Sequence, residues 1–152
     1  MIANSPPIDD VTTDEACVRR LLDDRVDALR AKDVDRVMSL NSPDIVVFDI
    51  PTPLQYLGNY ACRTSIVAWL NSYRGPLSFE TRDLRVAVGG DVAFTHSLFR
   101  VSGTMKNGTA TDHWVRLTFC LRKIGGKWRI THQHVSLPID LESGEAVHYR
   151  QP

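Results

Sequence analysis

The first part of the chain carries apolar residues at the spacing of helices. Along residues 14–30 they recur every three or four positions, which places them on one face of a helix. Thr12 and Glu15 form the pattern of a capping box at its start, and the helix is predicted to run to about Arg30. Asp33 can cap a second, shorter helix. Two amphipathic helices therefore open the predicted fold.

Arg25 interrupts the apolar face of the first predicted helix. The other members of this face are Val18, Leu21, Leu22, Val26 and Leu29. The arginine side chain can extend to solvent at the edge of the apolar surface, or its guanidinium can point into a cavity that the helix covers. The pattern alone leaves both possibilities open.

A carboxylate stands near the end of the first predicted strand. Residues 45–50 are rich in Ile and Val and are followed by two prolines, which favours a strand that ends there. Asp49 is the exception in this apolar stretch. It can be a turn-forming residue that hydrogen-bonds to the following loop, or a functional group.

The second half of the chain has the period of strands. After a third helix, predicted from about Gly58 to about Tyr73, four strands are predicted at residues 77–88, 92–105, 111–123 and 127–137. Short glycine-containing turns join them, so neighbouring strands are expected to be antiparallel. The pattern predicts a single α+β domain, residues 12–138, whose helices cover one face of a curled antiparallel sheet. Residues 1–11 are predicted to be a flexible arm, and residues 139–152 a C-terminal tail.

The last predicted strand carries two histidines. His132 and His134 share one strand face with Trp128. Pairing across a two-residue glycine turn puts Phe119 opposite His132, so this face is expected to be the apolar one beneath the helices. His113 has the same parity as Phe119 and joins that face if no bulge intervenes. The pair can transfer protons in a pocket, or be two partly buried histidines satisfied by their neighbours.

Composition narrows the class of partner. Lys plus Arg and Asp plus Glu both number 18, so no excess of positive charge favours nucleic acid or an anionic membrane. A small neutral ligand or a protein partner is expected instead. The three cysteines have no C-x-x-C spacing and are predicted to be free thiols. With no pattern of a signal peptide or membrane span, a cytoplasmic location is expected.

Residues 48–58 and 126–136, together with the order of helices and strands, give the chain a resemblance to the nuclear transport factor 2-like superfamily. Over about residues 12–138 it is similar to the SnoaL-like and ketosteroid isomerase-like branch. This resemblance implies a cone-shaped sheet, an α+β barrel, with a pocket beneath the helices. It also implies a homodimer by analogy of fold.

The resemblance assigns roles to particular residues. In ketosteroid isomerases a general-base Asp ends the first strand shortly before a glycine that opens the next helix, and Asp49 matches that arrangement. The same comparison places His96 on the pocket side of a strand whose alternation alone is undecided. Arg25 stands where those isomerases have a Tyr donor, and Phe119 or Thr118 where they have an acid donor. Both oxyanion donors of those isomerases are therefore missing.

These residues predict cofactor-independent acid–base catalysis on a small hydrophobic carbonyl compound, of isomerase, dehydratase or cyclase type. Asp49, or His96 oriented by it, would remove a proton beside the carbonyl, while a histidine or Arg25 would donate to the oxyanion. The predicted catalytic residues are Asp49, His96 and His132. The predicted substrate-binding residues are Arg25, Tyr56, Trp69, His113, Phe119, Trp128 and His134. No metal or cofactor is predicted.

The alternative is a non-catalytic module for binding a small ligand or for dimerisation. A His-x-His motif near the end of the last strand also appears in the association domain of calcium/calmodulin-dependent kinase, which belongs to the same superfamily and assembles without being an enzyme of the isomerase kind. The histidine pair alone therefore does not establish catalysis. The outer sheet face is expected to form a homodimer, through Arg116, Thr118, Arg122 and Gln133.

Overall fold

Three helices and six strands make up residues 13–152, the part of the chain that this computed structural model describes. In chain order they are α1 (Asp14–Arg30), α2 (Val34–Ser39), β1 (Asn41–Phe48), β2 (Tyr56–Leu57), α3 (Gly58–Asn71), β3 (Tyr73–Gly89), β4 (Val92–Met105), β5 (Ala110–Ile124) and β6 (Lys127–Ser136). The predicted arm of residues 1–11 and the predicted cap at Thr12 lie outside the described residues.

The first two helices begin at side chains that cap them. The Thr13 hydroxyl accepts a hydrogen bond from an amide of the first turn of α1 (3.1 Å), so the N-cap is Thr13 rather than Thr12. α1 ends at Arg30, as predicted. The carboxylate of Asp33 caps α2 in the same way, also as predicted (3.1 Å).

The six strands form one open sheet in the order β2-β1-β6-β5-β4-β3. Successive strands from β3 to β6 are antiparallel, whereas β1 runs parallel to β6. No hairpin turn joins β1 to β6, so the rule that makes hairpin neighbours antiparallel does not apply to this pair. The predicted antiparallel barrel is therefore corrected to a mixed, open sheet, while the α+β class and the single domain are confirmed.

The helices cover one face of this sheet. α1 packs against β3 and β6, and α3 packs against β1 and β3. The core lies between these layers, where Val18 of α1, Ile45 of β1 and Ile130 of β6 are fully buried. Among the helices of residues 13–152, none is both long and apolar enough to cross a lipid bilayer.

β6 contains a bulge that reverses the side-chain parity of its second half. Ile130 pairs with Leu121, as the predicted register requires, but the next pair is His132 with Cys120. Thr131 is therefore an extra residue on β6, and its hydroxyl donates to the Cys120 carbonyl (3.2 Å). Because side chains alternate between faces, every β6 residue after Thr131 points to the side opposite to the predicted one.

The start of α1 is tied to the hairpin of β5 and β6. The Asp14 carboxylate accepts hydrogen bonds from the Trp128 indole (3.0 Å) and from the Lys123 ammonium (2.9 Å). These hydrogen bonds hold the pKa of Asp14 below its usual value, and the bond from Lys123 has the largest effect. They fix the helix over the sheet at one end of the core.

The C-terminal segment folds back along β5. The Trp114 amide donates to the Tyr149 carbonyl (3.0 Å), and the Trp114 indole donates to the Arg150 carbonyl (3.3 Å). These contacts lie beside the start of β5, beyond the last pair that β5 makes with β6, Arg116 with Ser136. The segment predicted as a tail therefore contacts the sheet.

Ile130→Ala should lower the free energy of unfolding by about 2–5 kcal/mol, because it leaves a cavity at a side chain that is 0% exposed. Ile124→Ala provides the matched control in the same hairpin. Ile124 is 49% exposed, so this variant should change stability by no more than about 0.5 kcal/mol. Urea denaturation of both variants measures the difference, and equal losses would contradict the assigned core.

Candidate functional site

A cavity of about 620 Å³ lies between the helices and the covered face of the sheet. Its walls are mostly apolar. The apolar lining residues are Leu22, Val26, Leu29, Ile50, Pro51, Ile66, Ala68, Trp69, Leu84, Phe99, Val101, Val115, Leu117, Phe119 and Val135. Of the predicted site residues, Arg25, Asp49, Tyr56, Trp69, His113 and Phe119 border this cavity, whereas His96, Trp128, His132 and His134 do not.

Arg25 points into the cavity rather than to solvent. Its side chain leaves the buried face of α1 and is only 5% exposed. Nη2 donates to Oε1 of Gln133 (2.7 Å), and the guanidinium carbon lies 5.5 Å from the centre of the Phe119 ring. Nη1 is buried and has no hydrogen-bond partner within residues 13–152. This settles the choice between a solvent-directed and a cavity-directed arginine.

Burial lowers the pKa of Arg25 to about 10. The ionisable groups of Cys62 and Asp49 nearby oppose this shift only in part. A pKa of about 10 still leaves the guanidinium protonated at neutral pH. The cavity therefore contains a cation.

Asp49 borders the cavity just beyond the end of β1. Its carboxylate accepts a hydrogen bond from the Ile50 amide (2.8 Å), so it does form the predicted turn contact. Burial raises the pKa of Asp49, outweighing this hydrogen bond and the nearby charge of Arg25. Asp49 thus has both features considered from the sequence, a turn contact and a place in the pocket.

Arg25 and Asp49 influence each other without forming an ion pair. Each contributes to the electrostatic environment of the other. Yet none of the ion pairs between side chains of residues 13–152 joins them. A cationic donor and a carboxyl group are therefore both available to a molecule in the cavity.

His113 borders the cavity from β5, as its parity predicts. Its ring packs edge to face against the ring of His148, with centroids 5.2 Å apart. Burial lowers the pKa of His113, and His148 lowers it further against the opposing effect of Asp112. The neutral imidazole is thus favoured at this wall.

The histidine pair of β6 lies on the outer face of the sheet. Because Thr131 is an extra residue, His132 pairs with Cys120 and His134 with Thr118, not with Phe119 and Leu117. Both rings pack edge to face on Phe48, with centroids 4.7 and 5.5 Å from it. The predicted pocket positions of His132 and His134 are therefore wrong.

Gln133 occupies the position that the register prediction assigned to His132. It pairs with Phe119, borders the cavity and holds Arg25. No feature of residues 127–136 marks the extra residue, so sequence alternation placed Gln133 on the outer face. Its predicted role in a dimer contact is corrected accordingly.

His96 also points away from the cavity. On β4 the odd-numbered side chains face inward: Thr95 is only 1% exposed, and Ser97 and Phe99 border the cavity. His96 is exposed and pairs with Thr118 of β5. The pocket position that the resemblance gave His96 is therefore wrong. Phe94, which has the same parity as His96, is exposed, whereas Phe99 is buried.

Trp128 is a core residue rather than a wall of the cavity. It is buried and bonded to Asp14 at the start of α1. The outer sheet face does carry Arg116, Thr118 and Arg122. The homodimer through that face stays a prediction. In the part of the chain described here, no three His, Cys, Asp or Glu side chains are placed to hold a metal ion.

The SnoaL-like domain family matches residues 18–140 of this chain. The chain belongs to this family. Its fold places it in the nuclear transport factor 2-like superfamily. Among curated proteins no significant match was found.

Solved structures agree with this assignment. A nuclear transport factor 2-like protein of unknown function from Pseudomonas putida KT2440 is 30% identical to this SnoaL-like protein, with a TM-score of 0.83 over 91% of this chain and 96% of that one. A ketosteroid isomerase-like protein from Erwinia carotovora atroseptica SCRI1043 has 20% identity and a TM-score of 0.69 over 80% and 94%. A protein provisionally named a scytalone dehydratase, from Novosphingobium aromaticivorans DSM 12444, has 13% identity and a TM-score of 0.73 over 81% and 83%. The last two share the fold alone.

The raised pKa of Asp49 predicts how the stability of the fold changes with pH. The folded protein favours the neutral carboxyl, so the contribution of Asp49 to stability is fully present below about pH 4 and is lost as pH rises through the raised pKa. Asp49→Asn removes this loss. Relative to wild type, the variant should gain stability between pH 4 and pH 7, which urea denaturation at both pH values measures. A stability difference that does not change with pH would contradict the raised pKa.

Proposed function

We propose that this SnoaL-like protein is a cofactor-independent acid–base enzyme that acts on a small, largely apolar carbonyl compound. One observation carries the proposal: a carboxyl with a raised pKa, Asp49, and a buried cation, Arg25, border the same apolar cavity. Perturbed groups that share a pocket are typical of sites that transfer protons. Isomerisation, dehydration and intramolecular cyclisation can each begin with removal of a proton beside a carbonyl.

Asp49 is the proposed base. In its ionised form it takes a proton from the carbon next to the carbonyl, and it then returns the proton to another carbon or to a departing oxygen. Burial brings its pKa closer to neutrality, which makes it a stronger base than an ordinary carboxylate. The Ile50 amide holds one carboxylate oxygen, so the group is oriented before the substrate arrives.

Arg25 is the proposed donor to the oxygen on which negative charge develops. Gln133 holds Nη2, and the partnerless Nη1 can donate to that oxygen. A fixed donor in an apolar, water-poor site stabilises developing charge strongly, and removing one such donor costs about 3–4 kcal/mol in well-studied enzymes. A cationic donor in this position offers a substitute for the two donors that ketosteroid isomerases use.

The relatives give coarser support. Names that refer to an isomerase and a dehydratase occur among proteins of the same fold, and both reactions are proton transfers. At 20% and 13% identity these names support the class of chemistry and not a particular substrate.

Exchange of α-hydrogens tests this proposal without knowledge of the natural substrate. Bicyclic ketones such as 2-tetralone are incubated with the protein in D₂O, and loss of the α-hydrogen signal is followed by NMR. Wild type should accelerate exchange, with a rate that rises as pH passes through the pKa of Asp49. Asp49→Asn should slow the catalysed exchange by roughly 10²- to 10⁴-fold, the usual contribution of a general base.

His96→Ala is the control, because His96 is exposed on the opposite face of the sheet and should leave exchange unchanged. Full exchange activity in Asp49→Asn would exclude Asp49 as the base. Binding of the ketones without any exchange would favour the non-catalytic binding module instead.

A further inference from the structure

The Arg25 end of the cavity carries a positive charge that the surrounding protein leaves without a contacting counterion. The guanidinium is 5% exposed and makes one hydrogen bond within residues 13–152, to the neutral amide of Gln133. Nη1 is buried with no partner among the described residues. Burying an unpaired cation is costly, and an oxyanion is the partner that offsets the cost best. Nη1 is therefore available as a donor to a negatively charged oxygen of a bound molecule.

The other ionisable groups near Arg25 do not fill this position. Asp49 is bonded to the Ile50 amide and forms no ion pair with Arg25 among the described residues, and burial raises the pKa of its carboxyl. Burial likewise raises the pKa of the Cys62 thiol and keeps it neutral. Asp23 borders the cavity but is exposed to solvent and forms no ion pair with Arg25 in the described part of the chain. The bound molecule is left to supply the charge.

We propose that this cavity binds an organic acid, with its ionised carboxylate on Nη1 of Arg25 and its apolar body along Trp69, Phe119 and the neighbouring aliphatic side chains. Calling this acid a substrate rests on the proposed function, whereas its binding does not. The planar fork of guanidinium N–H groups suits two adjacent oxygens. If the carboxylate is bonded to the reactive carbonyl carbon, one carboxylate oxygen and the carbonyl oxygen can both contact the Arg25 guanidinium.

A carboxylate fits this position better than a phosphate. The described lining contains one arginine and no lysine, and the remaining basic group, His113, favours its neutral form. One guanidinium balances one negative charge, whereas a phosphate monoester carries close to two at neutral pH. The mostly apolar walls select a body of aromatic or alicyclic rings.

Two isosteric probes test the charge requirement in the wild-type protein. 2-Naphthoate and its neutral methyl ketone, 2-acetonaphthone, have the same ring system and nearly the same size. Isothermal titration calorimetry near pH 7 should show that naphthoate binds roughly 10- to 100-fold more tightly, the range expected for hydrogen bonds between charged groups.

Arg25→Met and Arg116→Met are the matched variants. Both remove one positive charge, but Arg116 is exposed on the outer face of the sheet. Arg25→Met should abolish the preference for naphthoate while the ketone still binds, and Arg116→Met should keep the preference. Methionine fills much of the volume of the buried arginine, and replacing a buried charge by an apolar group is often neutral or stabilising. The wild-type comparison of the two probes stands even if Arg25→Met fails to fold.

Three results would overturn the inference: equal affinities of the two probes for wild type, a preference that persists in Arg25→Met, or no binding of either probe up to about 1 mM.

Asp49→Asn separates this inference from the proposed function, because it should stop α-hydrogen exchange and still bind naphthoate. A naphthoate preference without exchange by any ketone would defeat the proposed function alone. Exchange without a naphthoate preference would defeat the organic-acid inference alone.

Discussion

One extra residue in β6 determines which side chains reach the cavity. Thr131 shifts the register between Cys120 and Leu121, so Gln133 turns inward beside Phe119. Without that shift His132 would stand in its place, and Arg25 would lose the amide oxygen that holds Nη2. Because strand side chains alternate strictly, a local insertion of one residue exchanges the two faces for the rest of the strand. The polar chemistry of the pocket depends on this exchange.

The buried guanidinium of Arg25 is a feature that an apolar cavity does not require. Burial lowers its pKa but leaves it charged, and Gln133 and Phe119 stabilise it only in part. An apolar residue would fill the same space at less cost. A buried cation that borders the same cavity as a carboxyl with a raised pKa supports the proposed role toward a bound molecule.

The sheet separates two sets of polar groups. On its covered face Gln133 holds Arg25 of α1, and Asp49 borders the same cavity. Its outer face presents His132 and His134 around Phe48, and also His96. Successive side chains of a strand point to opposite faces of the sheet, so these two sets face different surroundings. His96, His132 and His134 are therefore not part of the cavity wall.

The periodicity of the sequence was enough to predict the α+β class and the order of elements, whereas the resemblance placed Arg25, Asp49 and Phe119 around one pocket. Helix faces and strand alternation are local properties, and the resemblance supplied the arrangement of the pieces. The parallel pairing of β1 with β6 and the bulge at Thr131 depend on contacts between distant segments, and neither has a local pattern. Strand alternation carries an error of one residue to every later position, which is why His132 and His134 were misplaced. Only the tertiary structure decided that Gln133, and not a histidine, stands beside Arg25.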